Sequence, residues 1–110
     1  IINVNETGFL LTDTGRLLGS SKPVIYGVKN LVEKLHMPIY EVTRMSSYNV
    51  AKKYGYKDRG SIEVGKFADF VIIDDDYNVL QTYSEGRVVY DREVDHDLFH
   101  KTYLDQVRIK

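Results

Sequence analysis

The stretch that most constrains the fold is residues 60–91, which read GSIEVGKFADFVIIDDDYNVLQTYSEGRVVYD. Short runs of β-branched and aromatic residues alternate there with glycine and acidic turn residues, a pattern typical of consecutive strands. The Glu85-Gly86 pair separates two of these runs, as expected of a tight hairpin. Three or four short strands are predicted, at 61–64, 70–73, 79–84 and 87–90. We expect a small antiparallel sheet in which strand 70–73, being wholly apolar, is buried.

A first helix is predicted over residues 22–35. Its apolar residues recur at helical spacing, and Pro23 falls in the first turn, where a missing N–H costs nothing. Ser20 or Ser21 is the expected cap. The apolar stripe consists of Val24, Val28, Leu31, Val32 and Leu35. Ahead of the helix, residues 1–11 carry a polar interruption between apolar runs, which predicts an opening β-hairpin.

Two more helical segments are predicted before the sheet and one after it. The first covers 39–45, and the second starts at a fresh cap, Ser46 or Ser47, and ends at Gly55. After the sheet, a helical tail is predicted whose apolar side consists of Leu98, Phe99, Tyr103, Leu104 and Val107. The chain is thus expected to have three parts: the hairpin and helices of 1–59, the strands of 60–91 and the tail of 92–110.

The charge balance and composition exclude several classes of partner. Fifteen basic and sixteen acidic residues give a net charge of −1, without the basic excess that nucleic-acid binding requires. No apolar run approaches the roughly 20 residues that cross a bilayer, so no membrane partner is expected. Cysteine is absent, which excludes disulfides and thiolate metal sites and agrees with a cytoplasmic location.

Four motifs follow one another along the chain: GRLLGSS at 15–21, GVKNLVE at 27–33, EVTRMSSYNVAKKYG at 41–55 and GSIEVGKFADFVIID at 60–74. In this order they resemble the C-terminal segment of N-acetylglucosamine-6-phosphate deacetylases, which belong to the amidohydrolase superfamily. The G-K-x-A-D string alone occurs across that superfamily, whereas its combination with L-x-G-S and V-K-N-L-V-E is much more specific. The resemblance covers about residues 14–91.

The resemblance implies an α+β C-terminal fragment of a metal-dependent (β/α)8-barrel hydrolase. It would hold the last barrel helices and a small antiparallel sheet from the β-sandwich domain. The whole enzyme would hydrolyse the N-acetyl group of an amino-sugar phosphate, giving glucosamine 6-phosphate and acetate, with a divalent metal of zinc or iron type. The family's metal ligands and catalytic aspartate lie upstream of the matching segment, so neither a catalytic residue nor a metal is expected in this fragment. A homodimer is the expected assembly.

Leu17, Leu18 and Gly19 are the candidate substrate-binding residues, because the matching segment of the deacetylases lies beside the amino sugar. Gly19, Ser20 and Ser21 would also begin the first helix, where free N–H groups can bind a phosphate, although an ordinary helix cap fits the same residues. Three positions depart from the family pattern: Arg16 replaces threonine, Leu18 replaces a small residue and Val50 replaces proline.

Other polar residues favour structural interpretations. Asp13 lies in a T-D-T segment like the one that holds the family's catalytic aspartate, but its position favours a turn acid. The acidic loop 74–78 lacks the glycine and final glutamate of a calcium-binding loop, which favours a solvated turn. His96 and His100 have the spacing of two metal ligands on one helix, but no third ligand is evident, so a solvated helix face is favoured.

Two other functions stay open from the sequence. The chain could be the tail of a different amidohydrolase, such as a deaminase or a cyclic amidase, that shares only this segment. It could also be a non-enzymatic binding or assembly domain that reuses the same sheet.

Overall fold

The first part of the chain is a three-stranded antiparallel sheet of β1 (Asn3–Val4), β2 (Phe9–Leu11) and β3 (Leu17–Ser20), in that spatial order. The fold is that of a computed structural model, which describes residues 2–95. The predicted opening hairpin is confirmed by β1 and β2. Its turn forms because the Asn5 Oδ1 accepts hydrogen bonds from the Thr7 N–H (3.1 Å) and the Phe9 N–H (2.9 Å).

The segment before the first helix differs from the prediction, because residues 17–20 form β3 rather than a helix cap. Helix α1 (Val24–Glu33) begins later than expected, with Pro23 as its N-cap and no side-chain capping bond. Both serines are used elsewhere: the Ser21 Oγ donates to the Gly8 carbonyl (2.8 Å), and the Ser20 Oγ accepts from the Lys22 N–H (3.1 Å). The cap prediction was therefore wrong, because β-sheet pairing and a local turn satisfy these residues instead.

The apolar stripe of α1 is only partly covered. Val28 is buried, while Val24 remains 73% exposed and Leu35, which lies beyond the end of α1, 65% exposed. Helix α1 ends at the C-cap Lys34, and His36 then takes a left-handed conformation (φ 55°) that turns the chain towards the next helix. The predicted range of 22–35 is thus shortened at both ends.

Residues 39–53 form one continuous helical segment instead of two separately capped helices. Helix α2 (Ile39–Thr43) runs into a π-helical turn (Arg44–Tyr48) and then into α3 (Asn49–Lys53). The Ser46 Oγ donates back to the Thr43 carbonyl (3.2 Å), so this serine bonds within the helix and does not cap a new one. The predicted end at Gly55 is confirmed, since its φ of 77° and the Tyr56 N–H to Ala51 carbonyl bond (2.9 Å) form a Schellman motif.

The second sheet contains β4 (Phe70–Ile73), β5 (Val79–Ser84) and β6 (Arg87–Asp91), antiparallel and in sequence order. The predicted hairpin turn is confirmed: Glu85 and Gly86 both have positive φ (51° and 78°), as a type I′ turn requires. One interior contact across β4 and β5 is a stack of the Phe70 and Tyr83 rings, whose centroids lie 4.5 Å apart.

Two strand predictions in this region were wrong. Residues 61–64 form no strand, because the Lys66 N–H closes a turn onto the Glu63 carbonyl (3.1 Å) and side-chain bonds draw the segment together. Strand β4 exists but is not buried within this chain: Val71 and Ile72 are exposed and Phe70 and Ile73 half-buried. The wholly apolar sequence of β4 indicates a surface that is buried in the native protein. Residues 2–95 do not bury it.

The buried core of the described residues is correspondingly small. Its apolar members are Val28, Val42 and Ala51, contributed by α1, α2 and α3. Within residues 2–95 no helix has the length and apolar character needed to span a membrane. The start of the tail, residues 92–95, folds back as a turn in which the Asp95 N–H donates to the Asp91 carbonyl (2.7 Å). The predicted helix with Leu98 and Val107 lies outside the described residues.

Candidate functional site

The three candidate substrate-binding residues lie together on β3, an edge strand of the first sheet. Gly19 pairs with Leu10 and Leu17 pairs with Leu11 across a bulge in the β2–β3 ladder. Leu17 and Leu18 are 61% and 53% exposed. Within residues 2–95, the strand therefore presents apolar side chains together with a backbone edge that pairs with no other strand, a surface that can contact the body and the polar groups of a ligand.

The surroundings of Gly19 are open. A Cβ added to this residue meets no heavy atom of residues 2–95 within 4 Å apart from its two chain neighbours, and its φ lies outside the left-handed region. Nothing in residues 2–95 therefore requires glycine at this position. A close approach to its backbone would have to come from a ligand or from protein outside these residues.

The geometry does not support the alternative interpretation, in which a phosphate binds at a helix start formed by Gly19, Ser20 and Ser21. These residues precede the first residue of α1, Val24, by three or more positions. The Ser21 N–H already donates to the Gly8 carbonyl (2.8 Å) and the Lys22 N–H to the Ser20 Oγ (3.1 Å). The two donors are therefore not free for an anion.

Asp13 lies in a turn, as predicted. The turn is closed by the Gly15 N–H, which donates to the Thr12 carbonyl (2.9 Å), and by the Arg16 N–H, which donates to the Thr12 Oγ1 (3.0 Å). The Asp13 Oδ1 accepts a bond from the Asn3 Nδ2 (3.1 Å). This carboxylate ties β1 to the β2–β3 turn.

The acidic loop between β4 and β5 is a turn held by Asp74. Its Oδ1 accepts from the N–H groups of Asp76 and Asn78 (both 2.9 Å), and its Oδ2 accepts from the Asn78 Nδ2 (3.0 Å). The bond from the Asn78 side chain, followed by the backbone bonds, lowers the pKa of Asp74 below its ordinary value. The loop is therefore organised by internal bonds, in agreement with the predicted solvated turn.

Among residues 2–95, no group of three or more His, Asp or Glu side chains is placed to hold a metal ion. These residues therefore do not fit the divalent metal that the resemblance implies. The pair His96 and His100 lies outside the described residues.

A cluster around Arg59 is the main feature that sequence reasoning missed. Its guanidinium contacts Asp69 (Nη1–Oδ2, 3.2 Å) and Glu85 (Nη2–Oε1, 3.1 Å), and it lies 4.7 Å from the Phe67 ring centroid. The hydrogen bond to Glu85 is the main cause that raises the pKa of Arg59. The Asp69 Oδ1 also accepts the Glu85 N–H (2.7 Å), so the start of β4 is joined to the β5–β6 turn. We call Arg59, Asp69 and Glu85 the Arg59 clasp.

Lys66, the lysine of the G-K-x-A-D string, also joins neighbouring segments through side-chain bonds. The Lys66 Nζ donates to the Ser61 Oγ (2.6 Å) and lies 2.7 Å from the Glu63 Oε2, and Ser61 also bonds to Glu63. Lys66 is the main cause that lowers the pKa of Glu63. The lysine and aspartate of this string thus close a turn and hold a hairpin, which explains the motif by structure rather than catalysis.

Comparison with known proteins supports the family resemblance. The Amidohydrolase family model matches residues 3–89, and the chain belongs to this family. It is similar to the N-acetylglucosamine-6-phosphate deacetylase of Vibrio furnissii, with 38% identity over 87 residues, 78% of this chain and 22% of that protein. The crystal structure of the Pasteurella multocida deacetylase superposes with a TM-score of 0.74 at 35% identity, over 82% of this chain and 24% of the other.

The similarity to a deaminase is shorter. The adenine deaminase of Clostridium perfringens is 37% identical over 62 residues, which is 54% of this chain and 11% of the deaminase. The chain thus spans less than a quarter of the length of each of these relatives. The predicted resemblance to a segment of the deacetylases is confirmed.

Proposed function

We propose that the full-length protein containing this chain is an N-acetylglucosamine-6-phosphate deacetylase. It would hydrolyse the acetamide of the sugar phosphate and release glucosamine 6-phosphate and acetate. The observation that carries this proposal is the 38% identity to the Vibrio furnissii deacetylase over 78% of the chain. The structural similarity to the Pasteurella multocida enzyme over 82% of the chain agrees with it.

The reaction adds water to the acetamide carbonyl, breaks the C–N bond and leaves a proton on the departing amine. A divalent metal of zinc or iron type, when bound, would supply the activated water, and its ligands would come from outside residues 2–95. The chain itself would contribute scaffold and one wall of the sugar site. Leu17 and Leu18 offer exposed apolar side chains, and Gly19 offers an unobstructed backbone.

The remaining features follow the same resemblance. The substrate partner would be an amino-sugar phosphate, the assembly a homodimer and the location cytoplasmic. The exposed apolar residues of β3 and α1 support an assembly in which further protein surface covers them.

The test is a substrate comparison with the purified full-length protein. Acetate release from N-acetylglucosamine 6-phosphate is measured beside acetate release from unphosphorylated N-acetylglucosamine and ammonia release from adenine. We expect the sugar phosphate to have the highest kcat/KM. Ammonia from adenine without acetate from the sugar phosphate would replace the proposal by the deaminase function, for which the similarity to adenine deaminase is the supporting observation. Activity on none of the three would contradict both.

A further inference from the structure

A groove of about 870 Å³ lies between the helical segment 39–53 and the second sheet. Its lining is mostly apolar and includes residues that water reaches freely, among them Ile62 (83% exposed) and Val71 (51% exposed). Tyr40 and Val50 line the same groove from the helical side and are also exposed. We call this surface the helix–sheet groove.

The extent of this surface indicates that protein covers it. Among residues 2–95 only Val28, Val42 and Ala51 form a buried apolar core. Contiguous exposed apolar surface is unfavourable in water and marks an interface. The chain spans 24% of the Pasteurella multocida structure that it matches, so most of the corresponding fold lies outside this chain. The protein outside this chain is therefore the expected cover for the surface.

The charges in the groove specify what the covering segment carries. Two arginines, Arg44 and Arg59, line it. Arg59 is paired with the carboxylates of its clasp. In the described part of the chain, the Arg44 guanidinium lies over the Tyr48 ring (5.6 Å to the centroid) and has no carboxylate partner. Covering this wall removes water from the Arg44 guanidinium, and the cost of burying that charge is offset most strongly by a carboxylate that pairs with it.

We propose that the helix–sheet groove is the docking surface for an apolar segment that carries one aspartate or glutamate, paired with Arg44. The segment belongs to the part of the amidohydrolase fold that this chain does not cover. The inference concerns an interface within the enzyme and goes beyond the proposed reaction, because it depends on family and coverage but not on the substrate.

Thiol labelling of the full-length protein tests the cover. Residues 1–110 contain no cysteine, so Val50→Cys and Val71→Cys each introduce one thiol in this chain that peptide mapping can follow. Lys52→Cys, on an exposed residue of the same α3 that does not line the groove, is the matched control. We expect the groove thiols to react at least about tenfold more slowly than the control in the native protein and equally fast after unfolding. Equal native rates would overturn the proposal.

Arg44→Lys tests the carboxylate. A carbodiimide joins an amine to a carboxylate without a spacer, so the new lysine should form a crosslinked peptide that the wild-type protein lacks. We expect that peptide to come from outside residues 1–110 and to contain the partner aspartate or glutamate. A crosslink to residues 96–110, to a second copy of this chain, or no new crosslink at all, would each contradict the proposal.

Neither measurement depends on catalysis. A full-length protein that protects the groove but releases no acetate would keep the docking surface and remove the proposed function. An active deacetylase whose groove thiols react as fast as the control thiol would keep the proposed function and remove the docking surface.

Discussion

Gly60 shows how one residue fixes the approach of the second sheet to the helical segment. Its φ is +97°, and a Cβ added to it would lie 2.5 Å from the Ala51 Cβ. Ala51 is itself one of the few apolar residues buried within residues 2–95. The glycine therefore serves two needs at once, a left-handed backbone and a close contact with α3.

Gly60→Ala is expected to destabilise the full-length protein more than Gly65→Ala. Both alanines take an unfavourable positive φ, at a cost of about 1 kcal/mol, but only the first also clashes with α3. The clash should add about 2 kcal/mol to the loss of unfolding free energy. Chemical denaturation of the two variants measures the difference. Equal losses would show that Gly60 matters for its backbone angle alone.

Asp74 should make stability depend on pH in one direction. The pKa of Asp74 in the folded protein is lowered, mainly by the hydrogen bond from the Asn78 side chain. Its contribution to the free energy of unfolding is therefore fully present above the ordinary carboxyl pKa and is lost as the pH falls through the lowered pKa. Asp74→Asn should therefore lower Tm at neutral pH more than Asp75→Asn, which removes the same charge from an exposed neighbour. Melting curves at neutral and strongly acidic pH test this. A gap between the variants that persists in acid would contradict the assignment.

At the scale of elements, the Arg59 clasp joins three segments that are distant in sequence. It connects the residue that precedes Gly60, the start of β4 and the β5–β6 turn. Because both carboxylates share one guanidinium, the loss of either partner leaves the same arginine incompletely paired. Arg59→Ala and Glu85→Ala should therefore be non-additive in Tm, with a double variant less destabilised than the sum of the singles.

Arg87→Ala combined with Glu85→Ala is the control for that cycle, since exposed Arg87 lies in the same hairpin outside the clasp. This control pair should be additive. Additive behaviour in the Arg59 cycle as well would indicate that the clasp contributes no coupling energy. High salt should reduce the Arg59 effect, because the pairs are partly exposed.

Elements with strong local signals were predictable from the sequence. The Glu85-Gly86 turn, the helix end at Gly55 and the strands β4 to β6 each follow from residues with a narrow conformational preference. The failures lie where other bonds compete with a local signal. Ser46 looked like a cap but bonds within a helix that continues through a π turn. Residues 61–64 alternate like a strand but are folded into a turn by Lys66.

The candidate site was predictable only in part, because strand pairing and burial depend on residues that are distant in sequence. Motif order identified Leu17, Leu18 and Gly19, and the structure places them together on one exposed edge strand. Motif order did not reveal that this segment is a strand, because β3 forms by pairing with β2 and not through its own propensity. The burial of β4 was mispredicted because an apolar run indicates that a strand is buried in the native protein. It does not indicate which part of the protein buries the strand.

For the whole molecule, we propose that this chain forms a wall of the sugar site in a larger deacetylase. The most direct measurement compares KM and kcat for N-acetylglucosamine 6-phosphate in the full-length wild type, Gly19→Val and Gly27→Val, with Tm for each. Among residues 2–95, a Cβ added at either glycine meets no heavy atom within 4 Å apart from its chain neighbours and its own helix backbone, and neither glycine has a positive φ. We expect wild-type kinetics for Gly27→Val and a raised KM for Gly19→Val, with Tm nearly unchanged in both. Unchanged kinetics in a stable Gly19→Val protein would contradict the proposed sugar-site role.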